Sequence, residues 1–89
     1  MQEYTTRSTT EVITQSKTVI NDGFSGIYVK NIGADICNVL DNIPLEPGEN
    51  FSWTNEPNVK ISDNLQISFA GVEADKRLVL MKIYFDKSL

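Results

Sequence analysis

Apolar and polar residues alternate in short runs along most of the chain, and nowhere does the three- and four-residue spacing of a helix persist beyond a turn. The cleanest run is Leu65-Gln66-Ile67-Ser68-Phe69, which puts Leu65, Ile67 and Phe69 on a buried face and Gln66 and Ser68 outside. Arg77 to Phe85 sets Val79, Met81, Ile83 and Phe85 on one face and Leu78, Leu80 and Tyr84 on the other, so both faces of this last strand call for cover. Gly26 to Lys30 is a strand with Ile27 and Val29 on one side. Asn31-Ile32-Gly33 turns the chain into an expected partner strand, Ala34 to Leu40, whose register is open by one residue because Ile36 alternates with Cys37 and Val39.

Turn residues punctuate these runs. Asn21-Asp22-Gly23, Asp41-Asn42 and Ser62-Asp63-Asn64 supply side chains that tolerate left-handed backbone angles. Ile43-Pro44-Leu45-Glu46-Pro47-Gly48-Glu49 holds two prolines without amide donors, which predicts an edge segment ending in a Pro-Gly turn. Phe51-Ser52-Trp53 then re-enters a sheet, Val59-Lys60-Ile61 is a short strand after a polar loop, and Ala70 to Lys76 is the tip of a hairpin. Residues 1–20 read differently: six of the seven threonines lie there, with no Gly or Pro, and only Val12, Ile13, Val19 and Ile20 to anchor them. They predict one or two edge strands or an extended arm, with the arm slightly favoured, ahead of a domain over residues 21–89. The expected fold is all-β, a single small antiparallel β-sandwich, jelly-roll or immunoglobulin-like, of about seven or eight short strands.

Eighty-nine residues make one domain with a thin stability margin, which burial against partner chains would relieve. A net charge of −4 without a Lys or Arg cluster argues against a nucleic-acid backbone as ligand. Cys37 is the only cysteine, so no intrachain disulfide forms and a reducing compartment is expected. The amino-terminal residues lack the basic and apolar regions of a signal peptide, and no apolar run is long enough to span a membrane.

The absence of histidine removes Ser-His triads, Cys-His pairs, His-bearing zinc sites and most general-base schemes. The five glycines are scattered singly, unlike a phosphate-cradling loop. Carboxylates remain, mostly in turns; two across a cleft would suffice for a glycosidase, while decoration of loops is the plainer reading. Asp41, Asp63 and Asn64 have the hard oxygen donors calcium needs, without EF-hand spacing. Cys37 reads as a small buried hydrophobe, and Asn50-Phe51-Ser52 as a chance match to a glycosylation acceptor. No catalytic residue, cofactor or resident metal is expected.

The stretch Ile27-Tyr28-Val29-Lys30-Asn31-Ile32-Gly33-Ala34-Asp35-Ile36, followed by Ile43-Pro44-Leu45-Glu46-Pro47-Gly48-Glu49-Asn50-Phe51, gives the layout strand, Asn-x-Gly turn, strand, Leu-x-Pro-Gly-Glu, strand. This layout, over roughly residues 26–69, resembles the small β-sandwich accessory proteins of tailed-bacteriophage virions. The resemblance implies a structural capsid, decoration or head–tail component present in many copies. It would assemble in the host cytoplasm and bind neighbouring capsid, connector or tail subunits, as a homo-oligomer or along a lattice. That family has no motif of functional residues to carry over. The residues expected to touch a partner are Val12, Ile13 and Tyr4 in the Thr-rich stretch, Trp53 beside the Pro-Gly turn, and Leu78, Leu80 and Tyr84 on one face of the last strand. The alternative reading is a carbohydrate-binding module using Trp53, Tyr28 and Tyr84 as a stacking platform.

Overall fold

The computed structural model describes residues 4–20, 22–40, 43–56, 59–61 and 64–87, and every regular element among them is a β-strand. In chain order these are β1 (Tyr4–Ile13), β2 (Lys17–Val19), β3 (Gly26–Asn31), β4 (Cys37–Val39), β5 (Ile43–Leu45), β6 (Asn50–Thr54), β7 (Leu65–Phe69) and β8 (Leu78–Lys87). They form two four-stranded antiparallel sheets, ordered β1-β8-β3-β6 and β2-β7-β4-β5.

The order follows from one operation. Each strand of the first half pairs with its counterpart in the second: β1 with β8, β2 with β7, β3 with β6 and β4 with β5. The chain is therefore a long hairpin folded between Leu40 and Ile43 and then rolled up, with β3–β8 and β4–β7 joining successive layers of the roll. This is the eight-stranded jelly roll with its two Greek keys, and not the immunoglobulin arrangement.

Rolling overturns three local expectations. Ala34 to Leu40 is not the partner of β3, because only Cys37–Val39 is strand and it lies in the opposite sheet. Ala70 to Lys76 is not a hairpin tip but a crossing from β7 in one sheet to β8 in the other. Val59-Lys60-Ile61 is not a strand. Ile61 is instead plugged into the core, its amide donating to the Phe24 carbonyl at 3.0 Å. Residues 4–19 are edge strands rather than an arm, β1 closing one sheet and β2 the other. The turn pair at 41–42, Asn21, and Ser62 and Asp63 of the third turn lie outside the described residues.

Period-two alternation fills the space between the sheets. Ile27 and Val29 of β3, Cys37 and Val39 of β4, Leu65 and Ile67 of β7 and Leu78 and Leu80 of β8 all point inward, joined by Phe24 and Ile61 from loops. The expected inward placement of Leu65 and Ile67 and the edge position of β5 are both observed. The Glu46–Glu49 turn is closed by Glu49 N donating to Glu46 O at 2.9 Å, with Gly48 at φ 90°, a conformation that glycine accepts without steric cost.

One end of the sandwich is tied by polar groups. Asn31 is fully buried; its Nδ2 donates to the carbonyls of Asp35 (2.7 Å) and Leu45 (2.9 Å), and its Oδ1 accepts from Gly33 N (3.0 Å). Backbone amides of Ile32, Gly33, Ala34 and Asp35 donate to the carbonyls of Arg77 and Asp75, zipping the β3–β4 and β7–β8 loops together. A Cβ on Gly33 would sit 2.6 Å from both Arg77 N and Asp75 O, so only glycine permits this approach.

Candidate interaction surface

The strand that organises the sheet β1-β8-β3-β6 is β8, flanked on one side by β1 along ten residues and on the other by β3. Its inward face carries Leu78 and Leu80, both fully buried, then Lys82 and Tyr84. Beyond Ile83 the partner β3 has ended, and β8 continues with β1 as a two-stranded ribbon. There Tyr84 is held edge-on to Phe24 (6.5 Å between centroids), beneath the Arg7 guanidinium at 4.2 Å, and its hydroxyl donates to Asp22 at 2.8 Å. Burial and the Asp22 hydrogen bond keep the Tyr84 phenol above its ordinary pKa and protonated at neutral pH. Lys82 reaches Asp22 at 3.5 Å and the Phe24 ring at 5.7 Å, and Arg7 donates to Asp86 at 3.1 Å. The ribbon's inward face is thus a closed chain of charge and aromatic contacts.

From Val79 to Phe85 the outward face of β8 is apolar: Val79, Met81, Ile83 and Phe85 are each half-buried. The register places Val12 of β1 beside Val79, and Tyr28 of β3 beside Met81. Val12 is 51% exposed. Among the described residues no element packs over this stripe, because the second sheet lies on the other side. A run of apolar side chains that meets solvent instead of a second layer is the pattern of a contact surface.

Four of the seven residues expected to touch a partner are therefore corrected. Ile13, Leu78, Leu80 and Tyr84 are buried inside the sandwich and offer no surface. Val12 is at the surface, on the stripe. Trp53 is half-buried on the inward side of edge strand β6, with Nε1 donating to Asn55 Oδ1 at 3.1 Å. Tyr4 begins β1, and its side chain lies outside the described residues. The stripe also holds Val79, Met81, Ile83 and Phe85, which the sequence did not single out as contacts, and Tyr28, which it singled out only for a sugar platform. Both faces of β8 are apolar enough to be core, and the one interrupted by Lys82 and Asp86 reads as the outer one. Lys82 and Asp86 are inward because the ribbon end, with Asp22 and Arg7, gives them partners. A carboxylate upstream in a β2–β3 turn was the available signal.

Trp53, Tyr28 and Tyr84 do not meet as a platform: one is at an edge, one on the outer face and one inside. Asp35 is buried and accepts from Gly71 N (2.8 Å), Val72 N (3.2 Å) and Glu73 N (3.2 Å). Burial alone would raise its pKa, but those three amides, with Lys76 nearby, outweigh it and hold the carboxyl below the ordinary value. It is a fastener for the β7–β8 loop. Burial and the neighbouring Asp35 push the Cys37 thiol up to about 11, away from thiolate chemistry. Of the calcium candidates, Asp41 and Asp63 lie outside the described residues. Among the described residues, no three His, Cys, Asp or Glu side chains gather as a metal site.

The fold and surface define a jelly-roll sandwich with an apolar sheet face that no element among the described residues covers. No family model matches the chain, and no curated protein matches it closely enough to count as a relative.

Proposed function

We propose that the chain is a non-enzymatic structural protein of a bacteriophage particle, a capsid accessory, decoration or head–tail component, that works by binding neighbouring subunits. The observation that carries this reading is the outward face of β8, where Val79, Met81, Ile83 and Phe85 with Val12 and Tyr28 form an apolar stripe without a covering layer. A domain of this size gains stability by burying such a face against another chain. The lack of histidine and the buried, high-pKa Cys37 support a binding role over a catalytic one. The jelly roll is a fold from which viral capsids are built, though lectins and cupins share it, so the stripe weighs more than the fold.

Mass spectrometry on density-gradient-purified particles released by the host that carries the gene tests the reading. The wild-type chain is expected at a fixed copy number per particle. A Met81→Lys/Ile83→Lys chain, folded by circular dichroism, is expected to stay in the soluble fraction. Particles that lack the wild-type chain would overturn the proposal.

A further inference from the structure

The two sheets present four edges, and they are not guarded alike. Strands β2 and β5 are three residues long, and β5 carries Pro44; β6 has five residues. Strand β1 runs ten residues without Gly, Pro or Lys, and residues 5–12 are all exposed. Natural sheets blunt an edge of that length with prolines, lysines, bulges, inward-pointing charges or a covering loop. Among the described residues β1 has no proline, lysine, bulge or covering loop, and its two charges, Arg7 and Glu11, are of opposite sign, so they repel a second copy only in some registers.

The hydrogen-bond pattern fixes which groups this edge offers. Ile32 N donates to Arg77 O and Asn31 N to Glu49 O, so even residues of β3 bond toward β8 and odd ones toward β6. It follows by alternation that even residues of β8 bond toward β1, and that odd residues of β1 bond back. The N–H and C=O groups of Thr6, Ser8, Thr10 and Val12 therefore face outward along the free edge.

We infer that this edge pairs with β1 of a second copy of the chain, antiparallel, across a twofold axis at Thr9. Outward-facing groups must meet one another, which restricts the axis to a position on a residue. With Thr9 on the axis, Thr6 pairs with Val12 and Ser8 with Thr10, each pair exchanging two backbone bonds. Arg7 then faces Glu11 of the other copy, twice, in the closer non-hydrogen-bonded positions about 4.5 Å apart at Cα. An axis at Arg7 or Glu11 sets like charges face to face, and one at Ser8 or Thr10 leaves both charges opposite uncharged residues. Both side chains can be reached from the edge: Arg7, although over the Tyr84 ring with Nε on Asp86, is 55% exposed, and Glu11 is 44% exposed with a 4.0 Å contact to Lys17. The pairing sets the two outer apolar stripes on one face of a continuous sheet, separated by the outward Thr6, Ser8, Thr10 and Val12 of the two β1 strands. A single strand pair falls at the small end of specific interfaces, so micromolar affinity is expected.

The pairing belongs to the purified chain and stands or falls separately from the particle reading. Sedimentation equilibrium tests it. The wild type is expected to dimerise, and Thr10→Pro, which deletes an edge amide that makes no bond to β8, to be a folded monomer whose melting curve matches that of the wild type at concentrations too low for dimerisation. Arg7→Glu alone and Glu11→Arg alone are each expected to weaken dimerisation by about tenfold or more. Mixed together they are expected to recover it, since one copy then carries acid at both positions and the other base at both. A wild type that stays monomeric to about 1 mM would overturn the proposal. So would a Thr10→Pro chain that dimerises like the wild type, or a mixture that associates no better than its components.

Discussion

Asn31 and Asp35 do with two side chains what the loops cannot do with backbone alone. Asn31 uses both donors and its acceptor on three backbone groups, and Asp35 gathers three amides of the β7–β8 loop. Asp35 has a depressed folded pKa, so its contribution to stability is complete above the unfolded value, about 3.9, and is lost as pH falls through the folded one. Asp35→Asn is expected to lower the melting temperature at neutral pH and to flatten the loss of stability below about pH 4, read by thermal melts across that range. Cys37, buried with its thiol pushed up to about 11, is expected to resist a thiol reagent at neutral pH in the native protein and to react at once after denaturation. The sequence marks Asn31-Ile32-Gly33 as a turn, and the chain does turn there. That Asn31 would be a buried hub was not legible, because its partners Leu45 and Glu49 reach it only after the chain has rolled.

At the scale of elements, β8 holds the structure together and supplies its surface. Its alternation is plain in the sequence, and so are the strand at Leu65–Phe69 and the Pro-Gly turn, since each depends on neighbours within a few residues. Which face of β8 turns inward depends on the opposite sheet, and no local pattern reports that. The two faces make an expected contrast. Leu80→Ala, at a fully buried position, should cost about 2–5 kcal/mol, whereas Met81→Lys, one residue along and outward, should cost less than about 1 kcal/mol in urea titrations. Against a total of about 4–13 kcal/mol for a chain of this size, the first change alone brings the fold near its limit.

For the molecule as a whole, the fold class was legible and the pairing was not. Turns every few residues announced many short strands; reading each turn as a hairpin put neighbours in sequence side by side, which is how β4 was assigned to β3. In the roll, sequence neighbours such as β3 and β4, or β7 and β8, lie in opposite sheets. The pairing of Tyr4 with Lys87 carries a consequence for synthesis. On the ribosome β1 emerges before β8, the strand that completes it, so the threonine-rich segment waits with its backbone bonded to water until all six intervening strands have been made. Closure that must span so much chain is slow, on the order of milliseconds to seconds. Throughout that interval the newborn β1 shows two open edges to every other nascent copy nearby.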